Sequence, residues 1–210
     1  EDGRLYWRDG HWEILSVMKE PNLTNDIPRL ATYKIVDNRA ELIKIHTDGD
    51  LQPVEKNWMP TYKKNPKFDF IYSATSVYVD GIGKQLRREA SGLVGNAVRG
   101  GSCLWELEDR SYLSIIHECT TRSERVYSSR RFGMVDFTKR SYLHRFAKYS
   151  SDGTLIGLSD LFTFSNADIE FAAGLVISGS DVIVSYGYKD VAAYLGKIKL
   201  KAVLEMINDL

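Results

Sequence analysis

Cysteine is scarce in this chain. Cys103 and Cys119 are the only two among 210 residues, too few for the disulfide framework that holds small secreted domains together. Read as opposite arms of one hairpin turning near Asp109, they place Cys103 opposite Ile116 and Cys119 opposite Gly100. An offset of about three residues separates the two sulfurs by ~10 Å, beyond the roughly 7 Å at which a disulfide can close. Two free thiols are expected, which fits a reducing, cytoplasmic setting. Excess charge of one sign is also missing, because 28 Lys and Arg balance 28 Asp and Glu. Without a positive field, a non-specific grip on a nucleic-acid backbone is excluded. The longest apolar run, Phe171 to Ile177, is interrupted by Gly174 and falls far short of the ~20 residues of a membrane-spanning helix. The opening Glu1-Asp2-Gly3-Arg4 carries neither a basic nor an apolar signal segment.

Several chemistries lack their residues. The four histidines, His11, His46, His117 and His144, show no His-x-x-x-His spacing, and no Cys-x-x-Cys occurs, so no zinc or other metal site is expected. No Gly-x-Ser-x-Gly elbow is present for a serine hydrolase. Neither Gly-x-x-x-x-Gly-Lys nor Gly-x-Gly-x-x-Gly occurs, so no nucleotide cofactor is expected. Gly81-Ile82-Gly83-Lys84 has the composition of a phosphate loop but sits in a hairpin-like connection with no helix after it.

What is present is a succession of short β-branched and aromatic runs broken by turn residues, the pattern of an all-β chain. The runs are Leu5–Arg8, His11–Val17, Leu30–Val36, Glu41–Thr47, Phe70–Val79, Cys103–Leu107, Tyr112–Cys119, Tyr142–Tyr149, Phe171–Ile177 and Asp181–Tyr186. Turns are predicted at Arg8-Asp9-Gly10, Thr47-Asp48-Gly49-Asp50, Ser151-Asp152-Gly153 and Ser178-Gly179-Ser180. The tail from Lys197 to Leu210 lacks breakers and spaces Ile198, Val203, Met206 and Ile207 as a helix would, so a short terminal helix is expected.

Four polar-to-apolar openings recur: Glu1-Asp2-Gly3-Arg4, Glu55-Lys56-Asn57-Trp58, Arg99-Gly100-Gly101-Ser102 and Glu170-Phe171-Ala172-Ala173-Gly174. Each precedes two or three strands, at unequal separations compatible with four-stranded blades and variable loops. Charges at the start of several innermost strands point to polar groups converging on one axis, as in a β-propeller; a sandwich with surface charges is the competing architecture. The expectation is one propeller domain over residues 1–210, incomplete at its N-terminus because unpaired sheet edges are otherwise left open, or completed by pairing in a homodimer.

At these openings the chain resembles the five-bladed propeller proteins related to β-mannoside phosphorylases and mannosyltransferases, a clan that also holds furanosidase-like glycosidases. The residues that carry the resemblance are Glu1-Asp2-x-Arg4-Leu5, Glu55-Lys56-Asn57-Trp58, Arg99-Gly100-Gly101-Ser102, Ile116-His117-Glu118, Tyr142-x-His144-Arg145-Phe146, Ile169-Glu170-Phe171-Ala172-Ala173-Gly174-Leu175 and Ser185-Tyr186-Gly187-x-x-Asp190. The resemblance implies an axial pocket for a sugar, with Asp2 as catalytic acid, although Gly3 stands where the phosphorylases have proline. It also implies that Lys56 and His117 bind inorganic phosphate, a sensible task for an ammonium beside an imidazole. Arg99, at a glycine-rich turn whose N–H groups are accessible, can join them. Arg29 is the only arginine in the stretch where the family completes its phosphate site, and its context does not match.

Other roles remain open at this stage. Arg4 favours the ionised form of Asp2, so a plain ion pair competes with acid catalysis. Lys56 and His117 can instead pair with Glu55 and Glu118. Glu55, Glu170, Asp190 and Tyr186 are candidate sugar ligands, Glu170 being equally suited to pair with Arg99, since a carboxylate entering an apolar strand needs a partner. Trp58 and Tyr127 can stack on a sugar or pack in the core. His144 shares a strand face with Tyr142 and Phe146 and is expected to be packed. The function expected is a glycosyl-transferring or phosphorolytic enzyme acting on a β-linked hexose. Its partners would be a saccharide with inorganic phosphate or a sugar donor. The alternative is a non-catalytic glycan-binding module that accompanies a glycosyltransferase.

Overall fold

A computed structural model describes residues 2–18, 28–46, 56–62, 65, 67–79, 82–86, 98–128 and 133–210, with the backbone alone for 83–86, 122–128 and 133–139. The chain is all-β. A first antiparallel meander comprises β1 (Arg4–Arg8), β2 (His11–Met18), β3 (Arg29–Val36) and β4 (Arg39–Ile45). A second follows in β5 (Met59–Pro60), β6 (Phe70–Ser73), β7 (Ser76–Val79) and β8 (Gly83–Leu86). The third sheet holds β9 (Val98–Gly100), β10 (Trp105–Glu106), β11 (Tyr112–Ser128), β12 (Gly133–Tyr149) and β13 (Leu155–Ser159). The fourth holds β14 (Glu170–Ser178), β15 (Asp181–Tyr188) and β16 (Ala192–Lys199). A six-residue helix, α1 (Leu200–Glu205), then returns the chain to the third sheet, where β17 (Ile207–Asp209) pairs with β13.

Each of the four polar openings thus leads into its own sheet. Two-residue turns close the hairpins as the sequence predicts at Asp9-Gly10 and Gly179-Ser180, where Asp9, Gly10 and Gly179 all take positive φ. A further turn that the sequence did not advertise, Asp37-Asn38, does the same between β3 and β4. Thr47–Asp50 lies outside the described residues. Three expectations need correction. Phe70–Val79 is two strands, β6 and β7, separated by an Ala74-Thr75 turn. The terminal helix ends at Glu205, and the last residues extend because they cover the free edge of β13. Gly100, not Cys103, lies opposite Ile116, since the chain bulges at Gly101-Ser102, where both N–H groups donate to the Ile115 carbonyl. Both cysteines are nonetheless free.

The sheets pack in succession, and three hydrophobic cores lie between them. Tyr6, Leu15, Val17 and Leu30 of the first sheet meet Trp58, Phe70 and Tyr78 of the second. Ile71 and Val77 of the second, with Met59, meet Tyr112, Ile116, Ala147 and Leu155 of the third. Leu113, Ile115 and Phe146 of the third meet Ala172, Leu175, Val182 and Val184 of the fourth, joined by Val203 of α1. The alternation along β11 explains the middle of this arrangement: Leu113 and Ile115 face one neighbour, Tyr112 and Ile116 the other. A strand buried on both faces reads as a nearly continuous apolar run, which is how Tyr112–Ile116 reads.

The first strands lie side by side. Trp7 N–H donates to the Tyr62 carbonyl at 3.0 Å, Tyr62 N–H to Leu104 at 2.7 Å, and Leu104 N–H to Pro60 at 2.8 Å, with Thr61 and Leu104 bridged in parallel. The Cys103 thiol reaches the Leu175 carbonyl at 3.4 Å, tying the third sheet to the fourth. No described helix is long and apolar enough to cross a membrane.

Candidate functional site

At the opposite end of these strands all four openings meet at one side chain, Arg4. It is 1% exposed. Its Nε donates to the Gly101 carbonyl at 2.6 Å and one terminal nitrogen to the Asp2 carbonyl at 3.0 Å. The other terminal nitrogen reaches Asn57 Oδ1 and the Gly100 carbonyl, both at 3.4 Å. The guanidinium carbon stands 5.8 Å from the centre of the Phe171 ring. Alternation along β1 (Arg4 and Tyr6 in, Leu5 out) turns this arginine inward. Burial lowers its pKa to about 10, opposed by the charge of Asp2. Asp2 and Asn57, which flank it, both occupy the left-handed region, at φ 56° and 65°, a conformation that non-glycine residues hold only where the surroundings impose it.

The two glycines are there because of this crowding. A Cβ on Gly100 would lie 2.1 Å from the Asn57 carbonyl, and one on Gly101 would lie 2.6 Å from the Ile115 carbonyl and 2.9 Å from that of Ala172. The sequence marks this turn as accessible to a ligand; its backbone is instead spent on Arg4 and on the neighbouring strands.

Beside Arg4 a row of three side chains crosses the third sheet. Arg99 on β9 is directly opposite His117 on β11, and His117 is directly opposite His144 on β12, so the three share one face. Arg99 is exposed, while His117 and His144 are 3% and 0% exposed. The His117 ring lies 5.1 Å from Phe171, 5.6 Å from Tyr142 and 6.4 Å from His144. His144 packs 4.9 Å from Phe164 and 6.0 Å from Phe162. Burial drives the pKa of His117 down to about 3, and repulsion from a second proton on His144 and from the charges of Arg4, Arg99 and Lys56 pushes it the same way. Burial also brings His144 down to about 4, against the pull of Glu170. Both imidazoles are therefore neutral at physiological pH. His117 Nδ1 and both ring nitrogens of His144 are buried without a hydrogen-bond partner, so the wall they form has polar capacity unspent.

The structure therefore sets Asp2 beside Arg4, and Arg4, Lys56 and Arg99 near enough to His117 for their charges to act on it, with Lys56 and Arg99 exposed. It leaves the other candidates elsewhere. Glu170 is 0% exposed and turns back on the loop before it. Its carboxylate accepts from the N–H groups of Phe164 at 2.7 Å, Ser165 at 2.8 Å and Ala167 at 3.0 Å, and from the Ser165 hydroxyl. Burial alone would raise its pKa, but those four donors outweigh it and hold the carboxyl low. Neither a bond to Arg99 nor a free face for sugar hydroxyls results.

Asp190 sits exposed, at φ 56°, in the hairpin between β15 and β16. Tyr186 stacks on Phe164 at 4.4 Å. Trp58 is fully buried among Phe70, Tyr72 and Tyr78. Glu118 does not pair with His117. It lies on the other face of β11 and bonds Arg145 at 2.8 Å. Arg29 opens β3 opposite Met18 in the first sheet. Glu55 and the Tyr127 side chain lie outside the described residues. Among those described, no group of three or more His, Cys, Asp or Glu side chains is placed to hold a metal ion.

The chain matches no family model, no curated protein and no solved structure.

Two features escaped the sequence reading. Arg4 was legible only as a neighbour of Asp2, and its inward position on an alternating strand was the available signal. The His117–His144 pairing depends on the register between β11 and β12, which no local motif encodes.

Proposed function

We propose that this chain is a carbohydrate-active protein built as blades of a β-propeller, and that the well around Arg4 takes a saccharide together with an oxyanion such as inorganic phosphate. Lys56 and Arg99 hold the anion as charged donors, Arg99 by its fork and Lys56 as a point charge. His117 contributes a neutral N–H or a lone pair beside them. Asp2 is positioned at the rim for proton transfer to or from a glycosidic oxygen. One observation carries this reading: Asp2, Asn57 next to Lys56, and Gly100 next to Arg99, from three openings far apart in sequence, all bond the same buried arginine, and His117 of β11 feels the charges of Arg4, Arg99 and Lys56. Successive face-to-face sheets with adjacent first strands support the propeller architecture.

A binding module without catalysis is the second reading, and Glu170 and Asp190 favour it. Hydrolysis of a glycoside uses two carboxyl groups flanking the bond. Of the three described candidates, only Asp2 touches the Arg4 cluster. Phosphorolysis escapes this objection because phosphate is itself the nucleophile.

Calorimetric titration of inorganic phosphate, with and without mannose, tests the proposal. Saturable phosphate binding that Lys56→Ala and Arg99→Ala each weaken about tenfold supports the anion site. Phosphate binding unaffected by either variant refutes it. Asp2→Asn then separates the two readings: turnover of a β-mannoside falling by orders of magnitude with saccharide affinity retained supports the enzyme. No turnover in the wild type, with binding intact, supports the module.

A further inference from the structure

At the far end of the same first strands is a second, unrelated concentration of rings. Trp7 and Trp12 face each other across the β1–β2 hairpin at 5.2 Å, Trp12 meets the edge of Tyr62 at 6.0 Å, and Tyr62 stacks on Trp105 at 4.2 Å with 27° between planes. Trp12 is 37% exposed, and Trp7, Tyr62 and Trp105 are half-buried. They are not core residues in the sense that Trp58 is. An adjoining groove of about 350 Å³ is lined by Tyr62, Trp105, Glu106, Leu107, Glu108 and Arg110, within the size range of small-molecule sites. Arg4 and Trp7 are three residues apart on one strand, so the groove lies roughly 10–15 Å from the Arg4 well.

The loop that carries the polar rim is braced. Leu107 N–H donates to the Ser111 carbonyl and Arg110 N–H to Leu107. Asp109 accepts from Ser111 N–H at 3.0 Å and from its hydroxyl, and bonds Lys148 at 2.8 Å. Glu106 pairs with Arg110 at 3.0 Å while the arginine side chain remains 80% exposed. The rim thus presents carboxylate acceptors and guanidinium donors together, next to flat aromatic surface, on a loop already ordered.

We propose that this groove is a binding subsite for a neutral saccharide, separate from the Arg4 well. Charge and polarity narrow the ligand class. Glu106 and Arg110 offset each other, and the remaining Glu108 turns an anion away, while the rim still offers both acceptors and donors. A pyranose is uncharged, has hydroxyls that both donate and accept, and offers a C–H face that stacks on an indole or phenol ring. Tyr62 and Trp105 are the rings that line the groove, and because they stack on each other the pair offers aromatic surface for a single sugar unit. The assignment does not depend on catalysis at Asp2 or on anion binding at Lys56. A chain carrying it would be held on a glycan at one end of its strands while the well at the other end remains free.

The test is titration of the 15N-labelled full chain with β-1,4-mannobiose and with cellobiose, following the tryptophan indole resonances. A saturable shift of the Trp105 and Trp12 indoles is expected with at least one disaccharide. Trp105→Ala should weaken it about tenfold, and Lys56→Ala should leave it unchanged. Should Trp105→Ala lose its fold, Arg110→Ala, which alters an exposed side chain, is expected to weaken binding severalfold. The inference is overturned if neither disaccharide moves these indoles, or if Arg110→Ala and Trp105→Ala both leave the affinity unaltered. It is equally overturned if tetramethylammonium or a proline-rich peptide shifts the Trp105 indole and the disaccharides do not. Disaccharide binding lost in Lys56→Ala yet kept in Trp105→Ala would sink the groove and leave the well standing.

Discussion

Lowering the pH from neutral to near 4.5 presses a proton onto two imidazoles that the fold keeps neutral. The pKa values of His117 and His144 fall to about 3 and about 4, from an ordinary value of 6.5. Unfolded chains therefore bind more protons than folded ones between pH 6.5 and the folded values, and stability must fall as the pH falls through that window. Each pKa unit is worth about 1.4 kcal/mol, so at pH 4.5 each ring alone costs roughly 2–3 kcal/mol. Their rings are 6.4 Å apart and titrate as a pair, so the combined loss is about 4–5 kcal/mol, a large share of a typical domain's stability. Urea unfolding followed by tryptophan fluorescence at a series of pH values measures it. His117→Gln with His144→Gln should flatten the slope between pH 6.5 and 4.5. The working pH stays near 4.5 so that Glu170, whose carboxyl is held below its ordinary value, remains ionised. A wild-type loss under about 1 kcal/mol over this range, or an unchanged slope in the double variant, would refute the reasoning. Phosphate should reduce the effect, because an anion beside Lys56 and Arg99 offsets the positive field that helps keep His117 neutral.

Three further outcomes are expected. Gly101→Ala drives a methyl into two backbone carbonyls and should cost about 1–3 kcal/mol, read from the shift in the denaturation midpoint. Glu170→Gln gives up a charged acceptor shared by three backbone N–H groups and should cost about 1.5–3 kcal/mol at pH 7. The variant should also lose the part of the acid transition below pH 4.5 that the wild-type carboxylate contributes. Deleting Met206–Leu210 removes β17 and uncovers the edge of β13, so light scattering should report self-association of the shortened chain.

The amino-acid sequence by itself determined the all-β class, most strand positions and several turns. Those features are local. Alternation along Arg4–Arg8 and the positive φ that Asp9-Gly10 accepts are decided within a few residues. Local signals failed where no breaker marks a boundary, as at Ala74-Thr75. They failed again beyond Cys119, where β11 and β12 continue with polar cross-strand pairs such as Arg122 and Lys139. Four charged openings suggested converging polar groups; three of them put a polar group on Arg4, while the fourth contributes only Phe171. Which group occupies the centre was a tertiary decision, because it depends on how four separate sheets stack. Arg4 takes that place since its long side chain reaches the Gly100 and Gly101 carbonyls of the third sheet and the Asn57 side chain at the entry to the second. Glu170 leaves it because three N–H groups of its own preceding loop are nearer. The register of β11 with β9 and β12, set by packing on both faces of a buried sheet, is what lines up Arg99, His117 and His144, and no residue in the sequence encodes that alignment alone.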